Sequence, residues 1–536
     1  MSNTAPSPDH ISVDCCIIGA GPAGLAAALA FSKEVKKRNK IKTVLVIDKA
    51  PLPSAHTLSG AVMSRAAMKH LEQIIENPEY FKQIQSIARP VQHDWMHFLA
   101  PYTGIRVPGK ILPPNLQHHN DMIVQAGKLT DILHSACEAA GIHIYNGVSV
   151  SDFIMKNGIV EALIIPEAGR DKNRRKKSSF KSAEIIKAET FIFAEGTLGT
   201  LSEKLISQCS LANPVQPQLY SIGVKQLIRL SPKSTLRPDT AIHSLGYPLP
   251  VTVFGGGFLY ALENNMAAVG LLIGLDYKIK NLNPVHELER FKSHPHIARL
   301  IDGHKVVLCG AKTTPEGGYY SLPVPGYGNV LIAGDAGGFM NLFMFKGLHL
   351  AIASGIAAGK SSAHHQEQQL VLNYMHTLSK MGVSRELYKG RNFRQIFRSP
   401  LGFLAGAPLS LLQHLIPFPL SLHKDRDSPL TRTQKNNYHG MNREEFVFHS
   451  GTRHEEDSLS HIVITDSALC RTCIQLKKNT CLHFCPGKVY SLNNDGTIQI
   501  QHVNCLHDKT CLVKCPYDNI EWTPPGDGGG PRYAGM

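Results

Sequence analysis

The chain has 536 residues, too many for one simple core, so two or three packed units are expected. With 43% hydrophobic and 18% charged residues, it has ordinary globular composition and no disordered or fibrous bias. The net charge of +14 favours anionic partners: nucleic acid, an anionic membrane face or an acidic protein.

The opening "MSNTAPSPDHIS" has no apolar core of a secretory signal and no arginine of a transit peptide. The chain is therefore expected to face a bacterial cytosol or to lack its targeting segment already. Of 12 cysteines, seven fall between Cys470 and Cys515. The rest are scattered, with Cys15, Cys16 and Cys309 in apolar runs that read as buried strands. That usage points to a reducing compartment rather than a disulfide framework.

"VDCCIIGAGPAGLAAALAFSKEVKK" passes from an apolar strand through Gly19, Gly21 and Gly24 into an alanine-rich helix. A second strand, "KTVLVIDKA", ends in Asp48, 24 residues after Gly24. This is a dinucleotide fingerprint. Gly19 permits the tight turn, Gly21 admits a pyrophosphate, Gly24 lets helix and strand close up, and Asp48 can accept hydrogen bonds from a ribose. "GRDKNRRKKSSFK" (169–181) reads as a solvated basic hairpin.

Two later stretches favour FAD over NAD. "ETFIFAEGTLGTLSEKL" runs from a strand into a turn at Ala194, Glu195 and Gly196. "GNVLIAGDAGGFMN" ends a strand at Gly334 and Asp335, the position that binds the ribitol in FAD proteins of the glutathione-reductase type. The helix of "KGLHLAIASGIAAGK", opened by Gly347, would aim its positive end at the flavin. With one GxGxxG unit, no second NAD(P)H domain is expected.

No stretch of about 20 uninterrupted apolar residues occurs, so no spanning helix is expected. "SPLGFLAGAPLSLLQHLIPFPLSLHK" (399–424) is the most apolar long segment, with Arg394 and Arg398 before it and Lys424 and Arg426 after. It suits a segment dipping into one leaflet, or else a buried helix. "RVPGKILPPNLQ" (106–117) is a second, weaker candidate contact.

From about Ile462 the chain becomes cysteine-rich. "CRTCIQLKKNTCLHFCPG" and "CLHDKTCLVKCP" each end in Cys-Pro, as in a duplicated two-cluster ferredoxin, where the fourth cysteine of each half ligates the other half's cluster. That crossing rule gives one set of Cys470, Cys473, Cys481 and Cys515, and another of Cys485, Cys505, Asp508 and Cys511. Zinc remains open for four of these cysteines, and so does an empty Asp508-containing site. Either one or two iron–sulfur clusters are expected. No histidine metal site is expected; His118-His119 reads as a loop and "SAHHQEQQ" as a solvated helix end.

"AHTLSGAVM", "FGGGFLYAL", "GLLIGLDY", "EGGYYSLP", "GGFMNLFMFKGLHLAIASG", "CPGKVY" and "NIEWTPPGDGGGPRYAGM" occur in the order seen in the electron-transfer flavoprotein–ubiquinone oxidoreductase family, which the chain resembles from about Val13 to Met536. The resemblance implies FAD, a [4Fe-4S] cluster at Cys485, Cys505, Asp508 and Cys511, and electron flow from reduced electron-transfer flavoprotein to ubiquinone. Asp508 stands where the family has a cysteine, so a three-iron or aspartate-ligated cluster is one outcome. It further implies Ser59 and Gly60 beside the flavin, a quinone head at Gly255 and Gly256, and monotopic membrane contact without nucleic acid. Such a protein would sit on the cytoplasmic face of a bacterial inner membrane or the matrix face of the mitochondrial inner membrane. Phe254 replaces a tyrosine, Leu348 a threonine and Gln125 an arginine common in the family. Without the family, "FGGG" would read as a bulge where something approaches the backbone. A Fix-type bifurcating subunit and a geranylgeranyl-reductase-like enzyme are the alternatives.

The expected architecture is an α/β FAD-binding domain of the glutathione-reductase Rossmann type, with an inserted β-rich substrate domain and a C-terminal ferredoxin-like α+β domain. The expected limits are 1–205 and 326–395 for the two parts of the FAD domain, 206–325 for the quinone domain, 396–455 for the membrane segment and linker, and 456–536 for the cluster domain.

Overall fold

A computed structural model of the chain describes residues 10–119, 121–364, 369–398, 402, 406, 409, 412, 415–434, 440–476, 478–526, 528–533 and 535–536. Its first sheet runs in the order Gly326–Tyr327, Val330–Ile332, Glu184–Phe193, His10–Ile18, Val44–Asp48 and His143–Asn146. All these pairings are parallel except that of Gly326–Tyr327 with Val330–Ile332. Parallel strands are buried on both faces, which explains their near-continuous apolar composition. Cys15 and Cys16 lie fully buried there.

Helix Pro22–Lys37 packs along helix Leu348–Ala363. The small residues of "AGLAAALA" and "SGIAAGK" make this close crossing possible. A Cβ on Gly355 would lie 2.0 Å from the Ala23 carbonyl oxygen, and one on Gly359 2.1 Å from that of Ala27. Both helices therefore start at the same end of the sheet, beside the strand ends that carry Asp48, Ala194 and Gly334.

The second sheet has seven strands: Lys305–Pro315, Tyr220–Arg229, Met266–Gly274, Gly255–Ala261, Thr240–Gly246, His93–Leu99 and Gly104–Pro108. Its pairings are antiparallel apart from Thr240–Gly246 with His93–Leu99. Two of its strands come from 93–108, ahead of the stretch expected to form it. One face is sealed by helix Pro284–Ser293, whose Val285, Leu288 and Phe291 are fully buried with Val224, Val269 and Leu271. The basic run forms the exposed hairpin Ala168–Arg170 with Lys176–Lys181.

The C-terminal unit shows its duplication in the backbone. Helix Cys481–Phe484 leads to Cys485-Pro486 and strand Tyr490–Leu492; helix Thr510–Lys514 leads to Cys515-Pro516 and strand Ile520–Trp522. Three residues past each of those cysteines the chain takes a left-handed turn, at Lys488 (φ 51°) and Asp518 (φ 52°). The final segment returns to the first unit: Tyr533 N–H donates to the Ala55 carbonyl at 2.8 Å, and Met536 is fully buried.

Among the described residues no helix is long and apolar enough to cross a membrane. Leu409, Leu412, Leu415 and Phe418 of the apolar segment are about half or more exposed, while Leu411 and most of 399–414 lie outside the described residues. In the second candidate stretch Ile111 is exposed.

Candidate functional site

A long cavity opens where the two helices begin. Neither helix has a side-chain cap, so the first-turn N–H groups of Pro22–Lys37 and Leu348–Ala363 are left for an outside acceptor. Gly19 sits at φ 107°, and a Cβ there would lie 2.3 Å from the Ala194 oxygen; on Gly24 it would lie 1.8 Å from the Gly19 oxygen. At Gly21 a Cβ would meet nothing within 4 Å, so the space beside it is open for a phosphate. This is the fit a bound pyrophosphate requires.

Asp48 lines the cavity and accepts from the Ala20 and Ala50 amides, both at 2.6 Å, while burial pushes its pKa up. Ser59, Gly60, Glu195, Gly196, Gly334, Asp335 and Gly347 line the same cavity. Glu195 has a local duty as well: its carboxylate accepts from the Leu201 and Ser202 amides and so caps helix Thr200–Gln208. Asp335 faces Lys312 at 3.5 Å. Lys225, which the sequence reading passed over, is 2% exposed on the cavity wall. Its Nζ donates to the Ser59 carbonyl at 2.8 Å, and burial lowers its pKa to about 7.

Gly255 and Gly256 start the strand Gly255–Ala261 and are half-buried. A Cβ on Gly255 would lie 2.1 Å from the Leu272 oxygen, and one on Gly256 2.3 Å from that of Ser244, so tight strand packing alone accounts for both glycines. The cavity reaches this edge through Leu272 and Phe258. Phe254 turns its ring onto the Arg394 guanidinium, 4.3 Å away, and against Phe397. Leu348 is buried at the helix start. Gln125, where the family has arginine, donates from Nε2 to the Gly535 carbonyl and pins the C-terminal tail.

In space, Cys470, Cys473, Cys481 and Cys515 lie around one small cavity, and Cys485, Cys505, Asp508 and Cys511 form another group. Burial raises the Cys473 thiol to about 11 and the Cys481 thiol to about 12, and in each case Cys515 and Cys470 add to the shift. Burial also raises Cys485, Cys505 and Cys511, with Asp508 the largest charge acting on each. Asp508 is 5% exposed, and one of its oxygens accepts from the Thr510 amide at 3.0 Å. One carboxylate oxygen is thus occupied locally, at the start of helix Thr510–Lys514. Iron bound there would hold the thiols deprotonated against burial.

The two cofactor-sized sites share a wall. Leu506, His507 and Lys509, which flank Cys505 and Asp508, also line the cavity beside Gly19 and Asp48. The His507 amide donates to Cys505 Sγ at 3.4 Å. His454 and His461 stack with ring centroids 4.9 Å apart, and with His507 they bring one ring nitrogen each within 4.8 Å of the other two. Sequence reasoning grouped none of them, because 46 residues separate His461 from His507. Burial lowers the pKa of His461 to about 2 and that of His507 well below the ordinary value, so these two rings are uncharged. His118, expected in a loop, is fully buried, with Asp121 3.3 Å away.

Residues 220–314 match the family model described as "ETF-QO, ubiquinone-binding". Residues 440–534 match "Electron transfer flavoprotein-ubiquinone oxidoreductase, 4Fe-4S". The chain is 32% identical to a probable mitochondrial electron transfer flavoprotein-ubiquinone oxidoreductase of Schizosaccharomyces pombe, over 97% of this chain and 85% of that one. It is 32% identical to the human mitochondrial enzyme, over 98% and 89%. Among solved structures, a geranylgeranyl bacteriochlorophyll reductase-like protein of Thermoplasma acidophilum superposes with a TM-score of 0.56 at 16% identity, over 75% of this chain and 91% of that one. The flavin-dependent brominase Bmp2 superposes with a TM-score of 0.50 at 14% identity, over 76% and 92%. These two likenesses reflect the fold alone. Near-full-length identity, rather than fold, decides the assignment: the chain belongs to the electron transfer flavoprotein-ubiquinone oxidoreductase family.

Proposed function

We propose that this chain takes electrons from reduced electron-transfer flavoprotein and delivers them to ubiquinone through an iron–sulfur cluster and FAD. The observation that carries this reading is the shared wall: residues flanking Cys505 and Asp508 line the dinucleotide cavity. Electron transfer falls off steeply with distance, so adjacency of the two sites is what a relay needs.

FAD would be held by Gly19, Gly21 and Gly24 at the pyrophosphate, by Asp48 at the adenosine ribose and by Gly334 and Asp335 at the ribitol. Ser59, Gly60, Glu195, Gly196 and Gly347 complete its walls. When bound, FAD supplies the exchange between one-electron carriers and a two-electron acceptor. Cys485, Cys505, Asp508 and Cys511 would hold the cluster. Lys225 holds a proton near neutral pH on the cavity wall and can balance charge arriving there. Gly255 and Gly256 are the proposed quinone contacts, on the segment matched by the ubiquinone-binding model.

The architecture we propose is an FAD domain interrupted by the seven-stranded substrate sheet and followed by the ferredoxin-like unit, with the limits set out above except that 93–108 joins 206–325 in the substrate sheet. The exposed Leu409, Leu412, Leu415 and Phe418 would enter one leaflet of a bacterial inner membrane, cytoplasmic face, or of the mitochondrial inner membrane, matrix face. The near-full-length family match disfavours both the Fix-type and the lipid-reductase alternatives. Purified protein should reoxidise reduced electron-transfer flavoprotein when a short-chain ubiquinone is supplied. No quinone-dependent turnover, or equal turnover with NADH as donor, would overturn the reading.

A further inference from the structure

Cys470, Cys473, Cys481 and Cys515 enclose a small cavity of their own, walled by Leu469, Ile474, Tyr490 and Ile498. The first three come from the near half of the duplication, and Cys515 crosses from the far half. Two donors point at its sulfurs. Asn519 gives its side-chain amide to Cys470 Sγ at 3.3 Å and its backbone amide to Cys515 Sγ at 3.4 Å. N–H groups aimed at cysteine sulfur stabilise the thiolate form and tune an iron–sulfur centre.

The spacing of the sulfurs separates one ion from a cluster. Around a single zinc, bonds of about 2.3 Å in tetrahedral array put thiolates about 3.8 Å apart. Among the described residues, no three of these cysteines have their sulfurs within 4.8 Å of one another; only the three histidines meet that limit. A four-iron cube attaches each thiolate to a different iron and so holds them farther apart. Its wall of apolar side chains also suits a cluster better than a hydrated ion.

The depths of the two sets differ. Cys485, Cys505 and Asp508 are 4–6% exposed and Cys511 is 7% exposed, against the wall of the dinucleotide cavity. Cys470, Cys481 and Cys515 are half-buried and Cys473 is 8% exposed, while Arg471 and Gln475, on the helix that carries Cys470 and Cys473, are exposed. The four-thiolate set therefore lies on the solvent side of the Asp508 set.

We propose that Cys470, Cys473, Cys481 and Cys515 bind a second iron–sulfur cluster, placed outside the first, which makes the path to the flavin a two-cluster relay. Held by these four thiolates, the group would supply one-electron transfer, passing a single electron from a reduced flavoprotein donor to the Asp508 set with no proton required. The role rests on the function proposed above, whereas the cluster itself does not, so the test reads metal first.

The test is iron and acid-labile sulfide analysis of anaerobically purified full-length protein, with electron paramagnetic resonance of the dithionite-reduced state. Wild type should hold roughly seven to eight irons, and its two reduced clusters should broaden each other's signals. Cys473→Ser and Cys481→Ser should each lose roughly half the iron and leave one unbroadened signal. Cys485→Ser should keep the outer signal, so a variant that fails to fold is recognised against its pair. Brief chelator treatment of wild type should strip the exposed cluster first. Roughly four irons in wild type, unchanged in Cys473→Ser, would overturn the proposal, as would zinc in place of iron at this set. A normal iron count with no donor-driven reduction would defeat the donor reading and leave the second cluster standing.

Discussion

Arg394 lies at the junction of the three units, and replacing it with methionine should weaken their union in a pH-dependent way. Its side chain is 1% exposed. Nη2 bonds Asp276 at 2.6 Å, and Nε faces Glu316 at 3.5 Å. Arg398 reaches the other Asp276 oxygen at 3.3 Å. Asp425, directly after the apolar segment, accepts from the Tyr220 amide at 2.8 Å, and Lys514 of the cluster unit donates to the Leu275 and Tyr277 carbonyls. Removing one partner of such a buried ion cluster costs about 3–5 kcal/mol, because the remaining charges stay buried without compensation. At about 1.4 kcal/mol per decade, that is roughly a thousandfold in the unfolding equilibrium.

The pH dependence follows from the carboxyls. Burial tends to raise Asp276, but Arg394 and then Arg398 hold it below the ordinary range. Its stabilisation is present above the unfolded carboxylate value and disappears as pH falls through the folded one. Burial raises Glu316 and Asp425 to about 7, so each favours the folded state at acid pH and loses that advantage as pH rises from the unfolded value to about 7. Below pH 6 both are protonated, and Asp276 without Arg394 can take a proton too. Arg394→Met should therefore lose the full amount at pH 8 and less than roughly half of it at pH 5.5. Urea titration followed by the fluorescence of Trp95, in the seven-stranded sheet, measures this. A loss under about 1 kcal/mol at pH 8, or an equal loss at both pH values, would refute the reasoning.

Three other outcomes are expected. Gly24→Val places a Cβ 1.8 Å from the Gly19 oxygen, so the purified variant should carry less than about a tenth of the wild-type FAD by absorbance after gel filtration. Lys225 keeps its proton below about pH 7 and loses it above, so the pH profile of the flavin midpoint potential should change slope near 7 in wild type and lose that break in Lys225→Met. Leu412→Asp with Leu415→Asp removes two exposed leucines worth about 1.5–3 kcal/mol each in a lipid phase, so co-sedimentation with anionic vesicles should weaken by at least about a hundredfold.

What the sequence made legible was local or repeated. The turn from Gly19 to Gly24 sits within a few residues, and each glycine there has a steric reason that spacing alone expresses. The duplication could be read because both halves carry the same Cys-Pro ending, and the matching left-handed turns at Lys488 and Asp518 show the repeat in three dimensions. Long-range convergence stayed hidden. His454, His461 and His507 meet only because the stretch ahead of the duplicated elements packs against the second of them. The ion cluster of Asp276, Glu316, Arg394, Asp425 and Lys514 draws on five separate segments, none of which has a motif. Lys225 left a signal that went unread: a lysine inside the apolar strand "YSIGVKQLIR" has either a partner or a cavity to face. The local role of Glu195, capping the helix after its turn, was also beyond reach, since Glu at a cavity edge and Glu at a helix start look alike in one dimension.

The order in which the cofactors fill with electrons distinguishes a relay to ubiquinone from any other use of the flavin. Full-length protein loaded with its cofactors would be mixed anaerobically with reduced electron-transfer flavoprotein, frozen at successive times, and followed by cluster resonance and flavin absorbance before a ubiquinone is added. Cluster signals should rise before the flavin bleaches, and ubiquinone should then restore the oxidised flavin. Flavin bleaching with the clusters still oxidised, or reduced flavin that ubiquinone leaves unchanged, would contradict it.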